Sequence, residues 1–209
     1  YVMSLMNGAR LAIAAQAQGI AEAACREAVK YAGERVQFGA PIVRLTPVAA
    51  MLADMRVSVE AARALLYETA LIVDTKEGLE CRVAQLAARQ AAAADAGAGV
   101  AASAGPPSPD ASADLAAELK ELRAELKRFT RLAALYTPLA KACCTEMVNR
   151  VAYDALQVHG GSGYMRDFPV ERHVRDARIT TIYEGTTQLQ VVAAIGGVLS
   201  GTLGDRLDE

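Results

Sequence analysis

The chain has 209 residues, a formal net charge of -2, and 53% apolar against 22% charged residues. That composition belongs to a globular domain with a real core, and the near-neutral balance excludes a binder of nucleic acid or anionic membrane that works by basic excess. No apolar run reaches the roughly 18–20 residues needed to span a bilayer. Aromatic residues are 5% and Trp is absent. Alanine, the best helix former, leads the apolar set, so the expected fold class is all-α with closely packed helices.

Residues 3 to 34 predict one long helix. Leu5, Ala9, Ala12, Ile13, Ile20, Ala23, Ala24, Ala28 and Tyr31 recur mostly at steps of three and four, small residues (Gly8, Ala14, Ala15, Gly19) permit close helix approach, and Gly33 supplies a stop. From Gln37 to Pro47 a connector is punctuated by Gly39 and Pro41. A second helix is expected from Pro47 to Thr75, capped by Thr46, with a stripe of Met51, Leu52, Met55, Val59, Ala62, Leu65, Leu66, Thr69 and Ile72.

Between Lys76 and Arg131 the character changes. Residues 86 to 104 are almost all Ala with a few Gly, and residues 103 to 112 are rich in Pro and Ser. Such low-complexity sequence buries little apolar area, and a mobile or disordered loop is expected. Leu115, Leu119, Leu122, Leu126 and Phe129 then form a short heptad seam, with Ser112 or Asp114 as candidate caps. The simplest reading is an inserted helical arm that only packs; the other is an oligomer contact.

The next helix is expected from Pro138 to His159, with Leu139, Ala142, Cys143, Met147, Val151, Ala155 and Val158 on one side, stopped by Gly160-Gly161-Ser162-Gly163. Residues 164 to 178 read as a polar connector, a short turn leads to Glu184-Gly185-Thr186, and a last helix covers 186 to 200. Four long helices predict an up-and-down four-helix bundle. Its core is residues 1–75 and 132–209, and 76–131 is a partly disordered helical insertion within one domain. Tyr1 is not a natural initiator and no signal peptide is visible, so the expectation is a piece of a longer chain.

Cys25, Cys81, Cys143 and Cys144 show no paired spacing and read as small core residues of a reducing compartment; His159 and His173 are too few and scattered for a metal site. Glu184 follows an apolar run (Ile179, Ile182, Tyr183) and precedes a helix start. Burial raises a carboxyl pKa and the helix dipole lowers it, a balance that suits a general base. By spacing alone, an acid that stabilises its helix is the simpler reading. Glu171, Arg172, Arg175, Asp176 and Arg178 read first as a solvated charge cluster, with Arg178 as a second possibility for support of the turn.

The letters of several pieces resemble the acyl-CoA dehydrogenase family: Met6-Asn-Gly-Ala-Arg10, Tyr31-Ala-Gly-Glu-Arg35-Val-Gln-Phe-Gly39, Met51-Leu-Ala-Asp-Met55, Gln157-Val-His-Gly-Gly-Ser-Gly-Tyr164, Arg175-Asp-Ala-Arg178 and Ile182-Tyr-Glu-Gly-Thr186 with Gln188. They stand in the family's order and leave only 76 to 131 unmatched. The resemblance implies an FAD-dependent α,β-dehydrogenation of acyl-CoA thioesters with Glu184 as the base. Some members carry the base on the first helix, where this chain has Ala9. By the same resemblance Arg35, Gln37 and Phe38, together with Gln157, Val158, His159, Gly160 and Gly161, reach the FAD of a neighbouring subunit, and Thr186 and Gln188 contact flavin. Asn7, Arg10 and Gly185 are substrate-side positions, Arg10 having a buried ion pair as its other reading. Gln37 and Leu45-Thr46 depart from the family's usual polar residues.

The resemblance further implies an electron-transfer flavoprotein as electron acceptor, a homodimer or homotetramer, no nucleic acid and no membrane span, and a cytoplasmic or mitochondrial-matrix location. It also implies domains ahead of this bundle, so that the 209 residues alone are expected to bind FAD weakly and not to turn over. A catalytically inert helical interaction module and an acyl-CoA oxidase are the rival readings.

Overall fold

The first helix, α1 (Val2–Glu34, 33 residues), meets its neighbours along a line of alanines. In a computed structural model describing residues 2–99 and 109–202, Ala14, Ala17, Ala21, Ala24, Ala28 and Ala32 are all fully buried. With one methyl per contact, the facing backbones approach closely, which only helices packed through small residues achieve.

After α1 the chain forms a small hairpin, β1 (Val36–Gln37) against β2 (Ala40–Pro41), antiparallel with Val36 opposite Pro41 and Gln37 opposite Ala40. The two loop residues, Phe38 and Gly39, both have positive φ (53° and 79°). That is the turn whose twist matches paired strands. A 3₁₀ turn at Ile42–Arg44 leads into α2 (Thr46–Gly99, 54 residues). There follow α3 (Pro109–His159, 51 residues), a 3₁₀ turn at Gly160–Tyr164, α4 (Val170–Thr180) and α5 (Thr187–Leu199). The expected all-α class stands, and the connector of the sequence reading contains the only two strands among the described residues. No helix of the described residues is long and apolar enough to cross a membrane.

The chain divides into two compact units, Tyr1–Ala70 with Ala134–Glu209, and Leu71–Ala133. In the first, Leu52, Met55, Val59, Ala62 and Leu66 of α2 and Cys144, Val148, Val151, Ala152, Ala155 and Val158 of α3 close on the alanine line. Cross-contacts set the directions. Gln18 Nε2 donates to Val59 O at 3.0 Å, and a connector too short to span both half-helices joins the end of α1 at Glu34 to the start of α2 at Thr46, so α2 runs back against α1. Tyr31, near the end of α1, stacks on His159 at the end of α3 (ring centroids 4.3 Å apart), so those two run together. Glu22 also pairs with Arg63 at 2.7 Å, and Arg56 with Glu60 at 2.6 Å. Such partly exposed pairs set register more than stability.

Three sequence expectations need correction. Residues 164 to 178 are not merely a connector. Val170 and Ala177 are fully buried and Val174 partly, one turn apart, and they dock α4 on the core while its charges face outward. The pair Glu171–Arg175 (3.1 Å) is the solvated charge cluster expected. Secondly, Cys144 rather than Cys143 lies on the buried stripe, and of the four cysteines only Cys25 and Cys144 are core residues; Cys81 and Cys143 are exposed. Burial lifts the Cys144 thiol to about 12, which keeps it a thiol.

The third correction concerns the insertion. The second helix does not stop near Thr75 and the third does not start at Pro138; both continue as helix through the second unit, and α3 carries Pro138 inside it. Residues 86–99, expected to be disordered, are helical, as their alanine content favours. Within that unit Leu86, Leu119 and Leu132 are buried, Leu115, Leu122, Leu126 and Phe129 partly so, and Arg82 pairs with Glu118 at 3.1 Å. The central part of the expected loop, residues 100–108, lies outside the described residues.

Adding bulk on the alanine line should cost more than removing it elsewhere on the surface. Ala24→Leu is expected to destabilise by about 1–3 kcal/mol, read as a lower chemical-denaturation midpoint at unchanged slope.

Candidate functional site

The turn between α4 and α5 is built by consecutive short-range bonds. Ile182 and Tyr183 both donate to Ile179 O (2.9 and 3.3 Å), and Thr187 N donates back to Thr181 O (3.2 Å). The chain then reverses through two successive residues of positive φ, Glu184 (51°) and Gly185 (92°). A left-handed glutamate costs free energy, of order 1–3 kcal/mol for such sparsely populated conformations, and persists only where its surroundings fix it.

They do so from three helices. Gln190 of α5, fully buried, donates through Nε2 to both Glu184 O and Gly185 O at 3.1 Å. Lys141 of α3, also fully buried, donates through Nζ to Gly185 O at 2.7 Å. Thr187 Oγ1 donates to Glu146 Oε1 of α3 at 2.6 Å, and the Tyr183 hydroxyl donates to Gln16 Oε1 of α1. At the entry to the turn Arg178 Nη1 donates to Thr181 Oγ1 at 2.5 Å, which favours the supporting role for that arginine. The carbonyls on this turn are thus tied inward and the Glu184 side chain is left exposed. The expectation that Glu184 sits partly buried among apolar side chains is corrected. The turn carries it outward, and of its apolar neighbours Ile182 is itself exposed.

Desolvation drives the Lys141 pKa down, the nearby Arg10 guanidinium adds to this, and the Glu146 and Glu184 carboxylates oppose it. Arg10, a predicted substrate-side residue, therefore lies within electrostatic reach of the lysine that holds Gly185. Thr186 and Gln188, on the first turn of α5, are exposed beside Glu184. Of Asn7, the side chain lies outside the described residues.

A second group forms at the other end of α3. Tyr31, Arg35, Gln37, Ile42, Val158, His159, Gly160, Gly161 and Ser162 line a cleft of about 410 Å³. The Tyr31 hydroxyl donates to Ser162 Oγ at 3.2 Å, and Phe168 meets both Tyr31 and His159 edge-on at 5.5 and 5.6 Å. His159 Nδ1 donates to Ala155 O at 2.8 Å, which leaves Nε2 as an acceptor, buried and without a partner among the described residues. Gly160 has a positive φ (59°), and open space lies where a Cβ would be at Gly160 and Gly161. A dinucleotide fits these groups: the Arg35 guanidinium donates to phosphate, the buried His159 Nε2 accepts from a hydroxyl or amino group, and the glycines admit close approach. Phe38 stands at the hairpin tip, 91% exposed, and Gln157 is exposed at the end of α3. Lys141 and His159 are separated by roughly 27 Å along α3, from the rise per residue.

Sequence reasoning missed Lys141, Gln190, Glu146 and Tyr31 as members of these groups. The signal for Lys141 was present. Thr137, Lys141, Cys144, Val148, Val151, Ala155 and Val158 are buried at alternating steps of four and three, with a lysine on the apolar stripe.

The model of the acyl-CoA dehydrogenase C-terminal domain matches residues 1–104 and 110–195. The chain belongs to the acyl-CoA dehydrogenase family. It is 34% identical over 197 residues to the short-chain specific acyl-CoA dehydrogenase of Megasphaera elsdenii, covering 94% of this chain and 37% of that protein. It is 36% identical over 200 residues to an acyl-CoA dehydrogenase of Bacillus subtilis, covering 96% and 38%. The solved butyryl-CoA dehydrogenase of Megasphaera elsdenii superposes with a TM-score of 0.65 at 33% identity, over 94% of this chain and 37% of that one. The chain spans little more than a third of the length of these relatives.

Two glycines of the chain separate the costs of backbone and space. A Cβ at Gly185 would lie 2.7 Å from Gln190 Nε2, whereas at Gly39, also of positive φ, it would meet nothing within 4 Å. Gly185→Ala should therefore lower the thermal midpoint more than Gly39→Ala, the latter costing about 1 kcal/mol; equal losses would mean that Gln190 does not crowd the turn.

Proposed function

We propose that this chain supplies the base of a flavin-dependent acyl-CoA dehydrogenase, and that Glu184 removes the α-proton of an acyl-CoA thioester. The observation that carries the reading is the Glu184-Gly185 turn itself. Two successive left-handed residues are pinned through their carbonyls by Lys141 and Gln190, so that the turn's carboxylate projects outward. A structural acid at a helix start needs no such conformation.

In the proposed step the α C–H bond breaks, a Glu184 carboxylate oxygen takes the proton, and the electron pair moves toward the thioester carbonyl. Among the described residues the Glu184 N–H makes no backbone hydrogen bond, and it is proposed to receive the oxygen on which charge develops. FAD, when bound, supplies the acceptor for the β-hydride. Thr186 and Gln188 are proposed to hold flavin beside Glu184. Arg35, Gln37, Phe38, Gln157, Val158, His159, Gly160 and Gly161 are proposed to hold the dinucleotide portion of another copy's FAD. The separation of about 27 Å along α3 supports two half-sites that belong to different active centres. This reading requires at least a homodimer, with a homotetramer as two such pairs. Asn7, Arg10 and Gly185 are assigned to the substrate side, and an electron-transfer flavoprotein is proposed as the oxidant of the reduced enzyme. Residues 1–209 by themselves are proposed not to turn over.

The test uses the full-length protein. Acyl-CoA-dependent bleaching of its flavin absorbance is expected to slow by about 10²–10⁴-fold in Glu184→Gln at unchanged flavin content. Bleaching at the unsubstituted rate would reject Glu184 as the base.

A further inference from the structure

Lys141 stands out from the molecule's other cations. It is the one lysine or arginine with no exposed surface among the described residues, and it is the largest of the fully buried side chains. Burying an ammonium is costly unless it is paired, and the usual partner is a carboxylate. Lys141 forms no ion pair within 4.0 Å with Glu146 or Glu184, although both lie close enough to raise its pKa. Its hydrogen bond goes instead to a backbone oxygen, Gly185 O, at 2.7 Å and 44 residues away along the chain.

That oxygen belongs to the residue following the base. It already accepts from Gln190 Nε2 at 3.1 Å, so two donors from two helices converge on one carbonyl. Gly185 O fixes the peptide that follows the two left-handed residues, and with it the path of the reversal; rotation of that peptide would let the turn rearrange at Gly185 and swing the Glu184 carboxylate to a new direction. A charged donor on a rigid helix opposes that rotation more strongly than a neutral one. Because the ammonium binds a carbonyl, it holds the backbone and leaves the carboxylate free of a salt bridge.

We propose that Lys141 is a positioning residue for Glu184, acting through Gly185 O to fix the left-handed turn that aims the carboxylate. This rests on the reading of Glu184 as the base. The role is separate from hydride transfer, and it concerns only where the proton acceptor sits.

The experiment isolates that step. In methylthioacetyl-CoA and pentylthioacetyl-CoA sulfur replaces the β-carbon, so no hydride can leave, and exchange of the α-protons with D2O reports the base alone. Flavin-loaded full-length protein is compared with Lys141→Met, Lys141→Gln and Glu184→Gln, each rate being taken per bound flavin. Lys141→Met is expected to slow exchange about 100-fold, the scale of a misplacement near 1 Å, with the KM for acyl-CoA within about threefold of the parent. Lys141→Gln, which keeps a neutral donor, is expected to fall between. A residue that served stability alone would lower flavin content and melting temperature while leaving exchange per flavin at the parent rate, and that result overturns the proposal. If Lys141→Met does not fold, Lys141→Gln decides by the same reading. Undiminished exchange in Glu184→Gln would instead overturn the base assignment itself.

Discussion

The first compact unit is arranged around the distance at which α1 meets α2 and α3. Six alanines with no exposed surface fix that distance. Their contribution is less a matter of apolar area, since a methyl group buries little, than of dense contact between backbones, which gains dispersion along the whole length. Close approach brings side chains from the middle of one helix within reach of structures at the far side of another. The reach of Gln18 to Val59 O depends on it.

The α4–α5 turn shows how such a scaffold fixes the direction of a side chain. α5 is nearly all apolar, yet its buried residue is Gln190, while Leu189, Val192, Ile195 and Leu199 are exposed. An isolated amphipathic helix would do the reverse. The inversion follows from the turn: two backbone carbonyls face inward and need donors, and a buried amide satisfies them. Polar atoms are thus spent inside to hold a carboxylate outside, a division expected where one wall of a site is presented to other parts of a longer assembly.

How much of this was legible in the sequence varies by element. α1, the start of α2 and the end of α3 followed directly from apolar steps of three and four, and the glycine run after His159 marked the stop. α4 was missed because its two fully buried apolar positions, Val170 and Ala177, are outnumbered by Glu171, Arg172, Arg175, Asp176 and Arg178. A helix that needs only a narrow stripe looks polar when read along the chain. The insertion was misjudged for the opposite reason: polyalanine has no periodicity to read, and its helicity follows from the intrinsic preference of alanine. For the site, Glu184 and the Arg35 and His159 segments came from their resemblance to a family. Lys141 was legible as a lysine on an apolar stripe, but its partner, and the role of Gln190, required coordinates, because which backbone oxygens a turn leaves facing inward is decided by φ values and not by letters.

The hairpin tip carries an implication for how this chain evolves. Phe38 occupies a left-handed position that Asn or Gly would fill at lower cost, and it presents 91% of its surface to solvent, where an aromatic ring gains nothing. Both faults lie on one residue, and no contact among the described residues compensates either. A selection for thermal stability alone would replace that phenylalanine early, trading it for Asn, and on the role proposed for Phe38 would register the loss only when assembly or turnover was scored.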